Sequence, residues 1–176
     1  MQLPQGVSLS PLAMNRDERG WLTEIYRDEW VDDEKPCQWN VNFSQPNVLR
    51  GVHGHYRHWD YLVALRGRIS AGFYDARRRA PTHGVSALIE IGGERLMVLR
   101  IPPGVLHGFY FHEVTQYVCG VSAYYDPGDE LACLWADPGL GIDWPCRSPV
   151  IGERDRNAGS LAEIEARLRA LNPDFG

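Results

Sequence analysis

The sequence predicts an all-β fold, a sandwich or barrel, followed by one C-terminal helix. Short runs of β-branched and aromatic residues recur through roughly the first 145 residues, and Gly and Pro separate them at short intervals. Apolar residues at helical spacing occur only after residue 160. About nine or ten strands followed by a helix are typical of an all-β domain with a helical appendage. We expect one domain over residues 1–176, with the barrel at about 7–145 and the C-terminal segment and helix at 146–176.

The first predicted strands are short. Residues 7–9 form one, and a turn at 17–20 leads into a second at 21–26, which is rich in aromatic and β-branched residues. The acidic segment 28–36 is expected to be exposed. Residues 38–44 alternate polar and apolar side chains, which predicts a half-buried strand with one polar face.

The remaining strands follow a histidine-rich stretch at residues 50–67. They are predicted at 69–74, 85–91, 96–101, 108–111 and 117–125. The helix is predicted at 160–171, because its apolar residues recur at spacings of three and four and form one stripe. Ser160 can cap this helix, and Glu163 has the spacing of a capping box.

Composition excludes several partner classes. The net charge is −5 and the pI is about 5.6, which argues against nucleic acid or a membrane surface as a partner. The sequence contains no recognisable signal peptide, and no apolar run approaches the ~18 residues of a membrane span. The four cysteines lack CxxC spacing, so reduced thiols in a cytoplasmic protein are expected.

The histidines supply the strongest chemical signal. His53 and His55 are two residues apart, so on a strand both side chains face the same side. His107 follows a Pro-Pro-Gly turn, and Asp60 adds a carboxylate. Neutral imidazoles with a carboxylate suit a metal ion, whereas one imidazole oriented by a carboxylate makes a general base near neutral pH. Both roles are open from the residues alone.

Several short motifs follow one another in order along the chain. They are Asp17-Glu-Arg-Gly-Trp21, Gln38-x-Asn40, Asn47-Val-Leu-Arg-Gly-Val-His53, Ile101-Pro-Pro-Gly-x-x-His107-Gly-Phe109, Tyr124-Tyr-Asp-Pro127, Trp135-x-Asp-Pro-x-Leu-Gly-Ile-Asp-Trp-Pro145 and Glu153-Arg-Asp155. Together they resemble the dTDP-4-dehydrorhamnose 3,5-epimerase family of the cupin superfamily, from about residue 15 to residue 158. The resemblance implies a cupin double-stranded β-helix (jelly-roll) barrel and a homodimer, whose N-terminal strands complete the neighbour's site.

The resemblance also implies an activity. The family epimerises nucleotide-linked 4-keto-6-deoxyhexoses, usually carried on dTDP, by removing a proton from carbon 5 and often carbon 3, next to the ketone. His53 matches the base and Asp155 the residue that orients it. The other matches bind substrate: Arg19 and Arg50 the pyrophosphate, and Gln38 and Asn40 the nucleotide. No cofactor is expected on this basis.

The sequence departs from the family pattern where the catalytic acid is expected. Cys119 occupies the place of the tyrosine that returns the proton. Tyr117, on the same strand face, could replace it, and Tyr124 is expected at the far wall of the pocket. His107 is expected to border the pocket.

Two further departures favour other activities. Asp60 replaces a lysine that holds the carbonyl oxygen, and His55 replaces a glutamine. His53, His55, Asp60 and His107 also resemble the general cupin metal motif, so the alternative is a metal-dependent cupin enzyme. In that case His53 would be a ligand rather than the base. A 3,4-ketoisomerase and a non-catalytic sugar-nucleotide binder are further alternatives. We expect the metal-free epimerase, because its resemblance covers nearly the whole chain.

Overall fold

The structure, a computed structural model, describes residues 1–31, 34–93 and 95–175. Within these residues the chain forms twelve strands and two α-helices. The strands are β1 (Ser8–Pro11), β2 (Met14–Asp17), β3 (Gly20–Thr23), β4 (Gln38–Ser44), β5 (Val48–Gly54), β6 (Asp60–Arg66), β7 (Arg68–Asp75), β8 (Ser86–Gly92), β9 (Met97–Ile101), β10 (Val105–Phe111), β11 (Thr115–Val121) and β12 (Leu131–Ala132). The helices are α1 (Glu153–Arg156) and α2 (Leu161–Leu171).

Two five-stranded sheets form the body of the fold. The first has the order β1-β9-β6-β11-β4 and the second the order β12-β5-β10-β7-β8, while β2 and β3 form a separate hairpin. Neighbouring strands are antiparallel throughout. The predicted all-β fold with a C-terminal helix is therefore confirmed.

The main core lies between the two sheets. Leu62 and Leu99 from the first sheet meet Phe73 and Phe111 from the second, and all four are fully buried. Alternation along each strand directs these side chains inward, because successive residues point to opposite faces. Burial of this apolar surface holds the sheets face to face.

The outer face of the second sheet is covered by the C-terminal segment. Leu161, Ile164 and Leu168 of α2 are buried in one cluster with residues of β5 and β10. The predicted capping box is confirmed: Ser160 Oγ accepts from the Glu163 amide at 3.4 Å, and the Glu163 carboxylate accepts from the Ser160 amide at 2.7 Å. The apolar stripe of α2 is thus the face that packs on the sheet.

Strand β4, at the edge of the first sheet, differs from the expected half-buried strand. Its polar residues face a cavity between the sheets, but its apolar face is open in the single chain: Val41 is 78% exposed and Phe43 is 51% exposed. The predicted alternation of polar and apolar side chains is confirmed, but the prediction that the apolar face is buried is wrong for the single chain. An edge strand lacks a neighbour on one side, so burial depends on what else covers it.

The N-terminal segment also departs from expectation. The strand predicted at 21–26 ends at Thr23, because the next residues cross the outer face of the first sheet, where the Ile25 carbonyl accepts from Tyr61 Oη at 2.7 Å. In the acidic segment 28–36, Val31 is buried against that face, and residues 32–33 lie outside the described residues.

Among the strands and α-helices of the described residues, three short elements were not predicted. They are β2, β12 and α1, each of two to four residues, too short for a clear periodic pattern. The strand predicted at 117–125 begins at Thr115 and ends at Val121. No helix of the described residues has the length and apolar character to cross a membrane. The predicted division of the chain into a barrel and a C-terminal segment within one domain stays a prediction.

Candidate active site

A cavity of about 480 Å³ opens between the two sheets. Strands β5 and β10 form one wall, β4 and β11 form the other, and α1 closes one side. The lining side chains are mostly polar: Gln38, Asn40, Asn42, Arg50, His53, His55, His58, Asp60, His107, Phe109, Tyr117, Cys119, Val121, Ala123, Tyr125, Glu130, Arg154 and Asp155.

A histidine–aspartate pair lies on the wall formed by β5. His53 belongs to that strand, and Asp155 is presented by the single turn of α1. His53 Nε2 and Asp155 Oδ1 are 2.6 Å apart, and Asp155 Oδ2 accepts from the Gly51 amide at 3.2 Å. Burial opposes ionisation of Asp155, but the hydrogen bond and charge of His53 and the Gly51 amide lower its pKa below its usual value.

The ionised carboxylate selects the tautomer of His53. Because Asp155 accepts at Nε2, that nitrogen carries the proton and Nδ1 keeps a lone pair. The His53 side chain is 24% exposed, within the cavity wall. An oriented imidazole with a free ring nitrogen is suited to take a proton from a bound substrate.

Two protonated donors lie on the opposite wall. Tyr117 and Cys119 belong to β11 in the other sheet, and both line the cavity. Burial raises the pKa of Tyr117 to about 12. Burial and the nearby Asp60 carboxylate also raise the pKa of the Cys119 thiol above its usual value. Both groups therefore carry their protons at neutral pH, across the cavity from His53.

The floor of the cavity contains a buried cluster of imidazoles and carboxylates. Asp60 Oδ2 lies 3.6 Å from His55 Nε2 and 3.5 Å from His107 Nε2. His107 Nδ1 donates to the Val105 carbonyl at 3.1 Å, which leaves Nε2 without a proton on the neutral ring. Burial lowers the pKa of both imidazoles, that of His107 to about 3. Burial, with the Glu130 carboxylate nearby, raises the pKa of Asp60 to about 8.

A second layer supports this cluster. The His58 ring stacks on His55 with centroids 3.8 Å apart, and His58 Nδ1 lies 2.7 Å from Asp129 Oδ2. Asp129 Oδ1 also accepts from the backbone amides of residues 56 and 57. Glu130 is paired with Arg154 at 2.6 Å and lies 3.4 Å from His55 Nδ1. These contacts hold the rings in defined orientations.

Cationic and amide groups surround the rest of the cavity. Arg50 Nε donates to Ser44 Oγ at 2.9 Å, which orients the guanidinium at the cavity wall. Gln38 Nε2 donates to Asn40 Oδ1 at 3.1 Å on strand β4, in the opposite wall. An arginine beside amide side chains can bind an anionic, hydrogen-bonding ligand such as a nucleotide.

Ten of the twelve predicted site residues line this one cavity. They are Gln38, Asn40, Arg50, His53, His55, Asp60, His107, Tyr117, Cys119 and Asp155. Arg19 and Tyr124 are not among the lining residues of the described chain. Arg19 is exposed in the β2–β3 turn and pairs with Asp17, and Tyr124 is 72% exposed. The catalytic and substrate-binding roles predicted for all twelve residues stay predictions.

The four-residue metal set separates into two groups. His53 pairs with Asp155, whereas the ligand atoms of His55, Asp60 and His107 lie within 4.8 Å of one another. The compact group leaves His53 out, and the choice between base and metal ligand for His53 stays a prediction.

Sequence reasoning missed several lining residues. Asn42 continues the polar alternation of Gln38 and Asn40 and was detectable from it. Arg154 directly precedes the predicted site residue Asp155, and this adjacency could have indicated that it lies near the site. Glu130 follows a Pro-Gly turn with no spacing signal, and only the fold brings it to His55.

Comparison with known proteins identifies a family. The dTDP-4-dehydrorhamnose 3,5-epimerase family model matches residues 2–163. A dTDP-4-dehydrorhamnose 3,5-epimerase of Neisseria gonorrhoeae is 29% identical over 171 residues, which are 93% of this chain and 52% of that protein. This chain thus spans about half the length of that relative.

Solved structures share the fold over nearly the whole chain. RmlC of Legionella pneumophila, a dTDP-6-deoxy-D-glucose-3,5-epimerase in complex with dTDP-4-keto-L-rhamnose, has a TM-score of 0.85 at 28% identity and covers 92% of this chain and 91% of its own. ChmJ, a 3'-monoepimerase of Streptomyces bikiniensis in complex with dTDP-quinovose, has a TM-score of 0.85 at 28% identity, with 94% and 88% covered. The predicted cupin jelly-roll fold is confirmed.

Proposed function

This chain belongs to the dTDP-4-dehydrorhamnose 3,5-epimerase family, a family of isomerases, and we propose that it epimerises a dTDP-linked 4-keto-6-deoxyhexose by removing a proton next to the ketone. One observation carries the proposal: an oriented histidine on one wall of the cavity faces protonated donors on the opposite wall. Epimerisation needs a base and an acid on opposite faces of the same carbon.

His53 is the base in this mechanism. Its Nδ1 takes the proton from carbon 5, and the electron pair moves onto the carbonyl at carbon 4 to form an enolate. Asp155 holds the imidazole in the required tautomer and stabilises the imidazolium that forms. A base prealigned in this way is worth about 10²–10⁴ in rate.

Tyr117 returns the proton to the other face. Its phenol lies on β11, on the wall opposite His53, and remains protonated until the carbanion forms. The charge of Arg50 favours the phenolate that is left behind. Cys119 occupies the same strand face two residues further along, so the two donors can be separated by mutation.

Arg50 supplies the anchor for the pyrophosphate. Its guanidinium is held by Ser44 at the cavity wall, where a fork of N–H donors can meet two phosphate oxygens. Relatives in complex with dTDP-sugars support a dTDP-linked substrate.

The test is proton NMR of dTDP-4-keto-6-deoxyglucose in deuterated buffer with the purified chain. We expect deuterium at carbon 5 or carbon 3, and a loss of at least about 100-fold in His53→Ala. His83→Ala is the matched control, because His83 is exposed and outside the cavity wall. No exchange with the wild-type chain would refute the proposed activity on this substrate.

We also propose a homodimer in which the partner covers the open face of β4. The exposed Val41 and Phe43 support it, as does the exposed hairpin that carries Trp21 and Arg19. In a dimer Arg19 would reach the partner's cavity. Light scattering should give twice 19.9 kDa, and Val41→Asp should lower it. A monomeric mass for the wild-type chain would contradict the assembly.

A cytoplasmic location is a further proposal. The four cysteines are free thiols, as expected in a reducing compartment. Thiol titration of the protein from freshly lysed cells, with and without denaturant, should count four per chain.

A further inference from the structure

Three buried side chains converge at the cavity floor, and the proposed proton transfers do not use them. They are His55, Asp60 and His107, each less than a tenth exposed. Each offers one ligand atom, and these atoms lie within 4.8 Å of one another. The same oxygen, Asp60 Oδ2, lies near both imidazoles: it is 3.6 Å from His55 Nε2 and 3.5 Å from His107 Nε2.

These distances are too long for the hydrogen bonds of buried ionic pairs, which are about 2.7–2.9 Å. Two imidazole–carboxylate pairs beside the same cavity are that short or shorter: His53–Asp155 at 2.6 Å and His58–Asp129 at 2.7 Å. The contacts of the His55–Asp60–His107 group are all longer, including His58 Nε2 to Asp60 Oδ1 at 3.9 Å and His55 Nδ1 to Glu130 at 3.4 Å. Ligand atoms about 2.1 Å from a tetrahedral metal ion lie about 3.4 Å apart. The spacing around Asp60 therefore matches an edge of a coordination polyhedron.

The surroundings orient both imidazoles as ligands. His107 Nδ1 donates to the Val105 carbonyl, so the lone pair of Nε2 is directed to Asp60. His55 Nδ1 lies 3.4 Å from the Glu130 carboxylate, and it is the single buried side-chain polar atom of the described residues that lacks a hydrogen-bond partner. A metal ion on Nε2 would place a proton on Nδ1 for Glu130 to accept.

A second group of possible metal ligands lies beside the first, but its carboxylate already has hydrogen-bond partners. His55, His58 and Asp129 also have atoms within 4.8 Å of one another. Both oxygens of Asp129 are occupied, however, by the His58 ring and by two backbone amides. This carboxylate has a structural role, and the group centred on Asp60 is the one whose polar atoms lack short partners.

We propose that His55, Asp60 and His107 bind a divalent first-row transition metal ion, with an open coordination position facing the cavity. Two imidazoles and one carboxylate form the ligand set of many zinc and iron(II) sites. A bound ion would supply positive charge near a substrate carbonyl, where the family's lysine would lie. His53 is not a ligand, because its Nε2 is held by Asp155, so the base and the ion occupy the same cavity on separate side chains.

The test uses the purified chain, stripped with a chelator and titrated with Co²⁺ while visible absorption is recorded. We expect one Co²⁺ per chain, displaced by Zn²⁺. Asp60→Asn, which keeps the shape of the side chain, should weaken binding at least about 100-fold, and Glu130→Gln about 10–100-fold. His53→Ala should bind Co²⁺ as the wild-type chain does.

Two results would overturn the proposal. One is the absence of stoichiometric Co²⁺ in the wild-type chain. The other is equal loss of binding in His53→Ala and Asp60→Asn, with all proteins folded by circular dichroism, which would make His53 a ligand. The outcome is independent of the proposed epimerase activity: a wild-type chain that exchanges deuterium but binds no Co²⁺ would refute the metal site alone.

Discussion

Replacing Asp155 with asparagine isolates the orienting role of its carboxylate. The carboxylate accepts two hydrogen bonds, from His53 Nε2 at 2.6 Å and from the Gly51 amide at 3.2 Å. An amide of the same shape has only one acceptor oxygen, so it cannot serve both donors. Directing its NH₂ group at Gly51 would leave that buried N–H unsatisfied, at a cost of about 1–3 kcal/mol.

The amide is therefore expected to rotate, with its oxygen toward Gly51 and its NH₂ group toward His53 Nε2. That arrangement makes Nε2 an acceptor and moves the ring proton to Nδ1, the atom that should take the substrate proton. We expect kcat to fall about 10²–10⁴-fold, which is roughly 2.7–5.5 kcal/mol, with little change in KM.

The assay is the initial rate of deuterium incorporation at carbon 5 of dTDP-4-keto-6-deoxyglucose, followed by proton NMR. Glu153→Gln is the matched control, because Glu153 lies in the same helix, is exposed and is not part of the cavity wall. A folded Asp155→Asn protein whose rate falls less than about tenfold would refute the tautomer argument.

Three further predictions concern the donor wall, the helix and a buried ion pair. Tyr117→Phe should keep deuterium exchange but lower net epimerisation at least about tenfold, and an unchanged product yield would exclude Tyr117 as the acid. Leu168→Ala should lower the free energy of unfolding in urea by about 2–5 kcal/mol, because Leu168 is fully buried, whereas the partly exposed Leu171→Ala should change it much less. Asp75→Asn should lower the free energy of unfolding in urea by about 3–5 kcal/mol at pH 7, because Asp75 is fully buried and paired with Arg77 at 2.8 Å. Burial opposes ionisation of Asp75, but the hydrogen bonds of Arg77 lower its pKa below the unfolded value. The stabilisation by the ionised carboxylate is therefore complete above about pH 4 and lost as the pH falls through the folded-state pKa. A difference in unfolding free energy between wild type and Asp75→Asn that does not change with pH would contradict this prediction.

Local patterns accounted for most of the architecture. Alternation along β4 identified Gln38 and Asn40 as one polar face, and the spacing of Ser160 and Glu163 identified the start of α2. These features depend on residues two to four apart, where the backbone repeat determines which side chains are neighbours.

The cavity itself contains pairings that no local pattern reveals. His53 and Asp155 are 102 residues apart, and the resemblance to a family was needed to pair them. Glu130 and His55 meet only because the segment after β11 returns to the open end of the barrel.

The sequence by itself determined the strand-rich fold, the C-terminal helix and the side chains available for chemistry. The tertiary structure determined which partner each of those side chains meets. His53 and His55 are two residues apart, but one imidazole turns to Asp155 while the other meets Asp60 and His107. Strand periodicity puts both on one side of the sheet, whereas the partner of each ring nitrogen depends on distant carboxylates that only the folded chain brings within reach.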